Sequence, residues 1–239
     1  MKIYRRLQPV KAISFDLDDT LYSNYPVMMA ANAGMAAYFA TVPALQKVLS
    51  RCQDANFWFY HRARALAAQP ELKHDVTALR IESYYLGFLA LEFGPDHARQ
   101  QAMAAMAEFV RLRSNIEVPQ AIHKVLAALA DRYPLAAISN GNVDTRAIGL
   151  DGYFQGVYHA GKGLRQKPAL DMFALACDKL AIRPGELLHV GDCGRADILG
   201  AAAAGCQSAW FPAFGIGKPL KVLPDIELTD ISELRLLLS

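Results

Sequence analysis

The chain has 239 residues, of which 53% are apolar and 20% charged, and a net charge of +2. That length and balance suit one or two globular domains with a real core. Lys and Arg are scattered without a broad basic face, which excludes nucleic acid as the expected partner and leaves a small anionic substrate held locally. Cys52, Cys177, Cys193 and Cys206 show no C-x-x-C spacing, so neither a disulfide framework nor a zinc site is expected. Residues 1–8 contain Lys2, Arg5 and Arg6 but no apolar stretch with a small-residue cleavage site, and a cytoplasmic protein is expected. Residues 198–217 carry no formal charge, a length that would span a bilayer. Gly205, Pro212, Gly215 and Gly217 break the stretch, so it reads as buried helix, buried strand and loop, with no membrane partner.

In chain order, the first element is the short apolar run Ala12, Ile13, Ser14, Phe15, suited to a buried parallel strand. It leads directly into Asp16, Leu17, Asp18, Asp19 and Thr20, which puts carboxylates at a strand's carboxyl end, where ligands collect in open α/β sheets. Two carboxylates about 5 Å apart repel by roughly 3 kcal/mol at an effective dielectric of about 20. A fold that converges Asp16 and Asp18 therefore calls for a proton, a cation or both.

From about residue 27 to residue 113 there is no strand pattern. Helical spacing appears over residues 42–49, through Phe57, Tyr60 and Leu66, through Leu79, Tyr84, Leu86 and Leu89, and through Met103, Met106, Phe109 and Val110. Pro43, Pro70, Gly94-Pro95 and Pro119 punctuate the pieces, and an all-helical insert is expected. Beyond Pro119 the pattern alternates. A helix through Ile122, Val125, Leu126 and Leu129 precedes an apolar strand, Leu135 to Ile138, that ends in Ser139-Asn140-Gly141. A short helix over 144–150, an apolar piece at Val157-Tyr158 and a helix over 169–180 come next. The strand Leu187-Leu188-His189-Val190 then ends in Gly191-Asp192, followed by a helix over 196–204, a strand over 208–211, and a small strand and closing helix over 226–238. This is repeated β-α-β architecture, an α/β fold with a parallel sheet. Right-handed crossovers bring the three polar strand ends to one edge. The helical insert leaves and rejoins the chain at that edge and is placed to be a lid.

These clusters suit phosphate-ester hydrolysis, which needs a nucleophile, a proton carrier and charge neutralisation. Asp16 suits a nucleophile that splits one displacement into two, and Asp18 suits the acid that protonates the leaving oxygen and the base that then activates water. Ser139 and Asn140 offer neutral donors for phosphate oxygens, and Lys167, before Pro168, offers a positive charge for the transition state. Asp192 and Asp197 add hard oxygens for Mg²⁺. Each has a plainer reading: Asp19 and Asp192 as turn or helix caps, Ser139-Asn140 as an Asx turn, Asp197 as a helix N-terminal acid. His74 and His189 read as packed or hydrogen-bonded, and Cys193 as a small filler. Tyr22, His74 and Arg80 read either as contacts to the leaving group or as local packing.

The order DLDDT, SNG, KP, GDCGRAD, each in its own element, resembles the haloacid dehalogenase-like (HAD) hydrolase superfamily over nearly the whole chain. The resemblance implies a Rossmann-like core of residues 1–22 and 115–239 and a helical C1 cap of residues 23–114, with only about 25 residues between SNG and KP and no room for a second cap. It implies Asp16 as nucleophile, Asp18 as acid and base, Ser139, Asn140 and Lys167 as phosphate-binding, and Mg²⁺ held by Asp16, the Asp18 carbonyl and Asp192, with Asp197 supporting. FDLDDTLY, the segment HDVT at His74 to Thr77 followed by Arg80, RSNIEVPQ at Arg113 to Gln120 and LLHVGD are similar to bacterial phosphatases of the riboflavin pathway. That implies 5-amino-6-(5-phospho-D-ribitylamino)uracil or FMN as substrate, with one departure, Cys193 where those relatives carry a second Asp. Other outcomes to weigh are a broad sugar-phosphate phosphatase, a phosphomutase and a noncatalytic phosphometabolite binder. A 2-haloacid dehalogenase lacks a carboxylic acid at the position of Asp18, because halide needs no proton on leaving.

Overall fold

The structure, a computed structural model, describes residues 1–238, and the chain divides into two compact units. One comprises Tyr25–Ile116 with Asn142–Asp144; the other comprises Met1–Asn24, Glu117–Gly141 and Thr145–Ser239.

The first unit is helical: α1 (Asn24–Thr41), α2 (Leu49–Cys52), α3 (Ala55–Ala68), α4 (Val76–Ala90) and α5 (Pro95–Arg113). Asp54 and Asp75 start α3 and α4 by accepting the backbone N–H groups of Asn56 and Ala78. Pro95 occupies the first turn of α5, where its missing N–H costs nothing. Over residues 42–49, read as one helical segment, the chain forms a 3₁₀ turn, Pro43–Val48, running into the one-turn α2. The longest addition to the expected elements is α1. Apolar side chains surround it on all sides, so no stripe marks it in the sequence, although it buries only Ala31, Met35 and Phe39. The core of this unit is aromatic, with Phe39, Tyr84, Phe88 and Phe109 buried and Trp58 packed among them.

The second unit is a seven-stranded sheet: β1 (Lys2–Ile3), β2 (Ala12–Phe15), β3 (Leu135–Ser139), β4 (Gly156–His159), β5 (Leu187–Gly191), β6 (Gln207–Trp210) and β7 (Ile226–Glu227). Its order is β1-β7-β6-β5-β2-β3-β4, and every pairing is parallel except that of β1 with β7. α6 (Gln120–Ala130) buries Ile122, Val125, Leu126 and Leu129, as its periodicity predicts. α7 (Asp171–Lys179) buries Met172, Phe173, Ala176 and Cys177, at about 1.5–3 kcal/mol for each large side chain fully buried. The short helix expected over 144–150 is instead a set of turns: Gly149 bonds back to Arg146 and stands at φ +71°, which ends any helical path. The helix expected over 196–204 is a π-helix, Gly194–Leu199, continued by the one-turn α8 (Gly200–Ala203). Residues 198–217 thus hold helix, strand β6 and loop, and no single helix among the described residues is long and apolar enough to cross a membrane.

The chain winds outward from β2 in both directions, to β3 and β4 on one side and to β5, β6 and β7 on the other. This is the switch point at which α/β sheets open a crevice. Phe15 pairs with Ala137 and with Val190, so Asp16, Ser139 and Gly191-Asp192 leave the sheet at the same edge.

Candidate active site

The expected residues of the sheet unit meet there. Asp16, Asp18, Ser139, Asn140, Lys167, Asp192 and Asp197 line one cavity of about 290 Å³. Its centre is Lys167, whose ammonium donates to Asp16 Oδ1 at 2.8 Å, Asp197 Oδ1 at 2.6 Å and the Ile138 carbonyl at 2.6 Å. All three ammonium protons are committed, and the side chain is only 1% exposed. Burial by itself lowers a lysine pKa, but Asp16 and Asp197 reverse that effect and raise it, so the charge is permanent at neutral pH.

Asp16 keeps Oδ2 without a protein partner among the described residues, since only Oδ1 engages Lys167. Burial pushes its carboxyl well above the ordinary range, and Asp197 adds to the rise against the opposing pull of Lys167. Asp18 accepts the Tyr22 hydroxyl at 2.8 Å, which ties Tyr22 to orientation of that carboxylate. Asp19, at φ +60°, accepts the N–H of Asn24 at 2.8 Å and so fastens the start of α1.

Ser139 Oγ accepts the Gly141 N–H at 3.0 Å, which leaves its own proton to donate. Asn140 holds Lys167 by a reciprocal pair: its Nδ2 donates to the Lys167 carbonyl at 3.1 Å and its Oδ1 accepts the Lys167 N–H at 2.7 Å. One N–H of the side-chain amide read as a phosphate donor is thus used in setting the lysine backbone, and the other remains to donate.

Asp197 is fully buried and saturated. It accepts from Lys167 and from His189 Nε2 at 3.2 Å on one oxygen, and from the Cys193 N–H at 2.9 Å on the other. Burial favours its protonated form, yet Lys167 and His189 hold its pKa far below the usual carboxylate range. Gly191 is required for this approach, because a Cβ there would stand 2.3 Å from Asp197 Cγ. Cys193 Sγ accepts the Ala196 N–H at 3.4 Å, the capping place that an Asp could fill, and is not among the clustered carboxylates.

Carboxylate oxygens of Asp16, Asp192 and Asp197 lie within 4.8 Å of one another. Asp192 accepts weakly from Thr20 Oγ1 at 3.4 Å, and burial, then Asp197 and Asp19, raise its carboxyl from 3.8 to about 7. The cluster carries three acidic groups against one lysine, with oxygen donors only. That donor set fits a hard divalent cation such as Mg²⁺. Asp197 is consumed by its own bonds, so Asp16 and Asp192 are the side chains with capacity left to hold it.

A pH prediction follows from Asp192. Between about pH 4 and about pH 7 the folded, metal-free chain keeps a proton that the unfolded chain has released, so this group's contribution to stability falls as pH rises through that window. His61 and His189, whose pKa values burial lowers, act in the opposite sense as pH rises toward 6.5. The difference in melting temperature between wild type and Asp192→Asn isolates the carboxyl. It is expected to shift toward the variant with rising pH, and Mg²⁺ is expected to raise the wild type alone above about pH 7.

Of the remaining participants, His189 was expected to be packed or hydrogen-bonded and is both, whereas Ile216, Gly217 and Lys218 were not identified from the sequence. His189, on β5, is bridged between Ser14 Oγ at 2.9 Å and Asp197, a link visible only once Ser14 and His189 pair across the sheet. Ile216, Gly217 and Lys218 line the same cavity, and a Cβ at Gly217 would stand 2.5 Å from Asp192 Oδ2. The signal was the G-I-G-K-P string itself, read only as a break in an uncharged stretch. His74 and Arg80 belong to the helical unit. His74 ends a 3₁₀ turn, and Arg80 lies 3.5 Å over the Phe109 ring.

The fold, with acidic and lysine side chains gathered at one sheet edge, is that of a hydrolase class: a family model described as haloacid dehalogenase-like hydrolase matches residues 10–205. The chain belongs to this family. It is 37% identical to the Escherichia coli protein named 5-amino-6-(5-phospho-D-ribitylamino)uracil phosphatase YigB, over 98% of each chain. It is 28% identical to a Thermus thermophilus phosphoserine phosphatase, over 94% of this chain and 97% of that one. Among solved structures, a Pseudomonas syringae protein titled 2-haloacid dehalogenase superposes with a TM-score of 0.87 at 30% identity, covering 96% of this chain and 98% of that one.

Proposed function

We propose that the protein is a Mg²⁺-dependent phosphatase that hydrolyses a small phosphomonoester through a phosphorylated Asp16, with 5-amino-6-(5-phospho-D-ribitylamino)uracil as its principal substrate. The observation that carries the chemistry is the pairing of a buried, permanently charged Lys167 with one oxygen of Asp16, while the other oxygen lacks a protein partner.

In this reading Asp16 Oδ2 attacks phosphorus, and Lys167 holds Oδ1 and offsets charge on the transferring group. Asp18, steadied by Tyr22, gives its proton to the departing alkoxide. It then takes a proton from the water that cleaves the aspartyl phosphate, which returns both carboxylates to their starting states. Ser139 donates to a phosphate oxygen, Asn140 keeps Lys167 in register, and Asp197 with His189 fixes the far side of the ammonium. Asp16, the Asp18 carbonyl and Asp192 would hold Mg²⁺, which neutralises phosphate charge when bound. The four free cysteines suit a reducing, cytoplasmic setting.

The dehalogenase name of the Pseudomonas relative favours a second reading, displacement of halide by Asp16. Halide leaves without a proton, so that chemistry gives Asp18 and its Tyr22 bond no task. The substrate assignment rests on the E. coli relative, whereas the names of other relatives, for phosphoserine or phosphoglycolate, support a broader range.

The test is phosphate release, with and without Mg²⁺, from the ribitylaminouracil phosphate, FMN, phosphoserine, phosphoglycolate and common sugar phosphates, alongside halide release from a 2-haloacid. The first substrate is expected to lead in kcat/KM, and all activity is expected to vanish with chelator. Halide release without phosphate release would overturn the class, and a flat ranking would overturn the substrate.

A further inference from the structure

Within the helical unit, α1, α3 and α4 enclose a second cavity of about 270 Å³. One side is an aromatic slot. Trp58 stacks on Phe39 with ring centroids 5.3 Å apart and meets Tyr84 edge-on at 5.0 Å, while Phe59 stands at the rim, 72% exposed. The polar groups of the slot are already used: Trp58 Nε1 donates to the Cys52 carbonyl at 2.7 Å, and Ser83 Oγ donates to the Trp58 carbonyl at 3.2 Å.

The other side carries charge. Arg62 and Arg80 both line the cavity, and no Asp or Glu does. Arg80 lies over Phe109 and beside the Tyr84 hydroxyl, and neither arginine meets a carboxylate among the described residues. Elsewhere in this unit Arg99 pairs with Glu82 and Arg111 with Glu108, whereas Arg62 and Arg80 bring two cations to one cavity with no acidic side chain in its lining. Burial and the like charge of Arg80 work against the Arg62 cation, yet guanidinium does not shed its proton near neutrality. An anion relieves both costs, and a guanidinium fork matches carboxylate or phosphonate geometry.

We propose that this cavity is a binding site for a small planar anion: an aromatic or heteroaromatic ring that packs against Trp58 and Tyr84 and carries a carboxylate or phosphoryl-type group held by Arg62 and Arg80. Its volume sits near the lower end of small-ligand pockets, about 300–1,000 Å³, and suits one substituted ring. None of the residues proposed for phosphoryl transfer lines it, so the inference stands or falls independently of the phosphatase reading.

The chain has two tryptophans, Trp58 and Trp210, and therefore two indole N–H resonances, assigned by their loss in Trp58→Phe or Trp210→Phe. Phenylphosphonate and benzoate are titrated against the wild type by NMR and calorimetry, with benzyl alcohol as the ring without charge and sulfate as the charge without ring. Saturable movement of the Trp58 resonance is expected with the two ring anions. Arg62→Gln is expected to weaken their binding by about tenfold or more, and Arg62→Lys by less. The proposal is overturned if Trp58 does not respond, if benzyl alcohol or sulfate binds as well as the ring anions, or if only Trp210 responds. The wild-type comparison of the four probes decides the matter even if Arg62→Gln fails to fold.

Discussion

Asp16→Asn is expected to remove measurable phosphate release, a loss on the order of 10⁶-fold for a covalent nucleophile, while the protein stays folded. The amide keeps the shape of the side chain and an oxygen able to accept from Lys167, so the 2.8 Å bond of the wild type has a substitute. What disappears is the anion that attacks phosphorus. The same change removes one of three buried acidic groups that face a single ammonium, and burial already pushes the Asp16 carboxyl upward. The melting temperature is therefore expected to hold or rise in metal-free buffer, and Mg²⁺ is expected to stabilise the variant less than the wild type. Phosphate release at the wild-type rate would remove Asp16 from the chemistry. A melting temperature lowered by many degrees would mean that the carboxylate mainly supports the fold.

Lys167→Met is expected to act on rate and stability together. The ammonium bridges Asp16, Asp197 and the Ile138 carbonyl with almost no exposure, and removing it strands Asp197 without its principal counter-charge. Stranding one partner of a buried pair costs about 3–5 kcal/mol, measurable as a fall in the urea midpoint at unchanged slope. The loss of transition-state charge stabilisation is expected to lower kcat by at least about 10²-fold to 10³-fold. The two effects separate in the double variant Lys167→Met with Asp197→Asn, which removes the stranded charge. Stability is expected to recover in part while the rate does not. If the double variant is no more stable than the single one, the cost lies in packing around the methylene stem and not in the unpaired carboxylate.

Asp16, Asp18, Ser139, Asn140 and Asp192 were legible because each lies at or just past the end of a strand with a strong local signal, whereas Lys167 and Asp197 lie in a loop and a helix and were read from their place in the motif order. Ala12 to Phe15 is a short apolar run closed by acidic residues, and it forms β2 with those bounds. Leu135 to Ser139 and Leu187 to Gly191 repeat the pattern as β3 and β5. α1 was hidden for the opposite reason. A helix apolar on every side has no periodic face, and the packing of Met35 and Phe39, not their spacing, defines its inner side. The helix predicted over 144–150 failed where Gly149 adopts a positive φ that a helix cannot accommodate.

Sequence by itself determined strands β2 to β7, their chain order and the acidic and amide groups at the ends of β2, β3 and β5, because these depend on near-neighbour pattern and on composition; β1, two residues without an apolar run, was not expected. Tertiary structure alone decided which oxygen of Asp16 is engaged, that Asn140 clamps Lys167, that His189 backs Asp197 and that Gly217 abuts Asp192. It alone also left Arg62 and Arg80 facing an aromatic cavity without a carboxylate. The physical reason is range. Strand and helix formation are settled over a few residues, whereas the protonation and pairing of a buried charge depend on groups as distant in the chain as Asp16 and Lys167, which only a completed sheet brings within hydrogen-bonding distance.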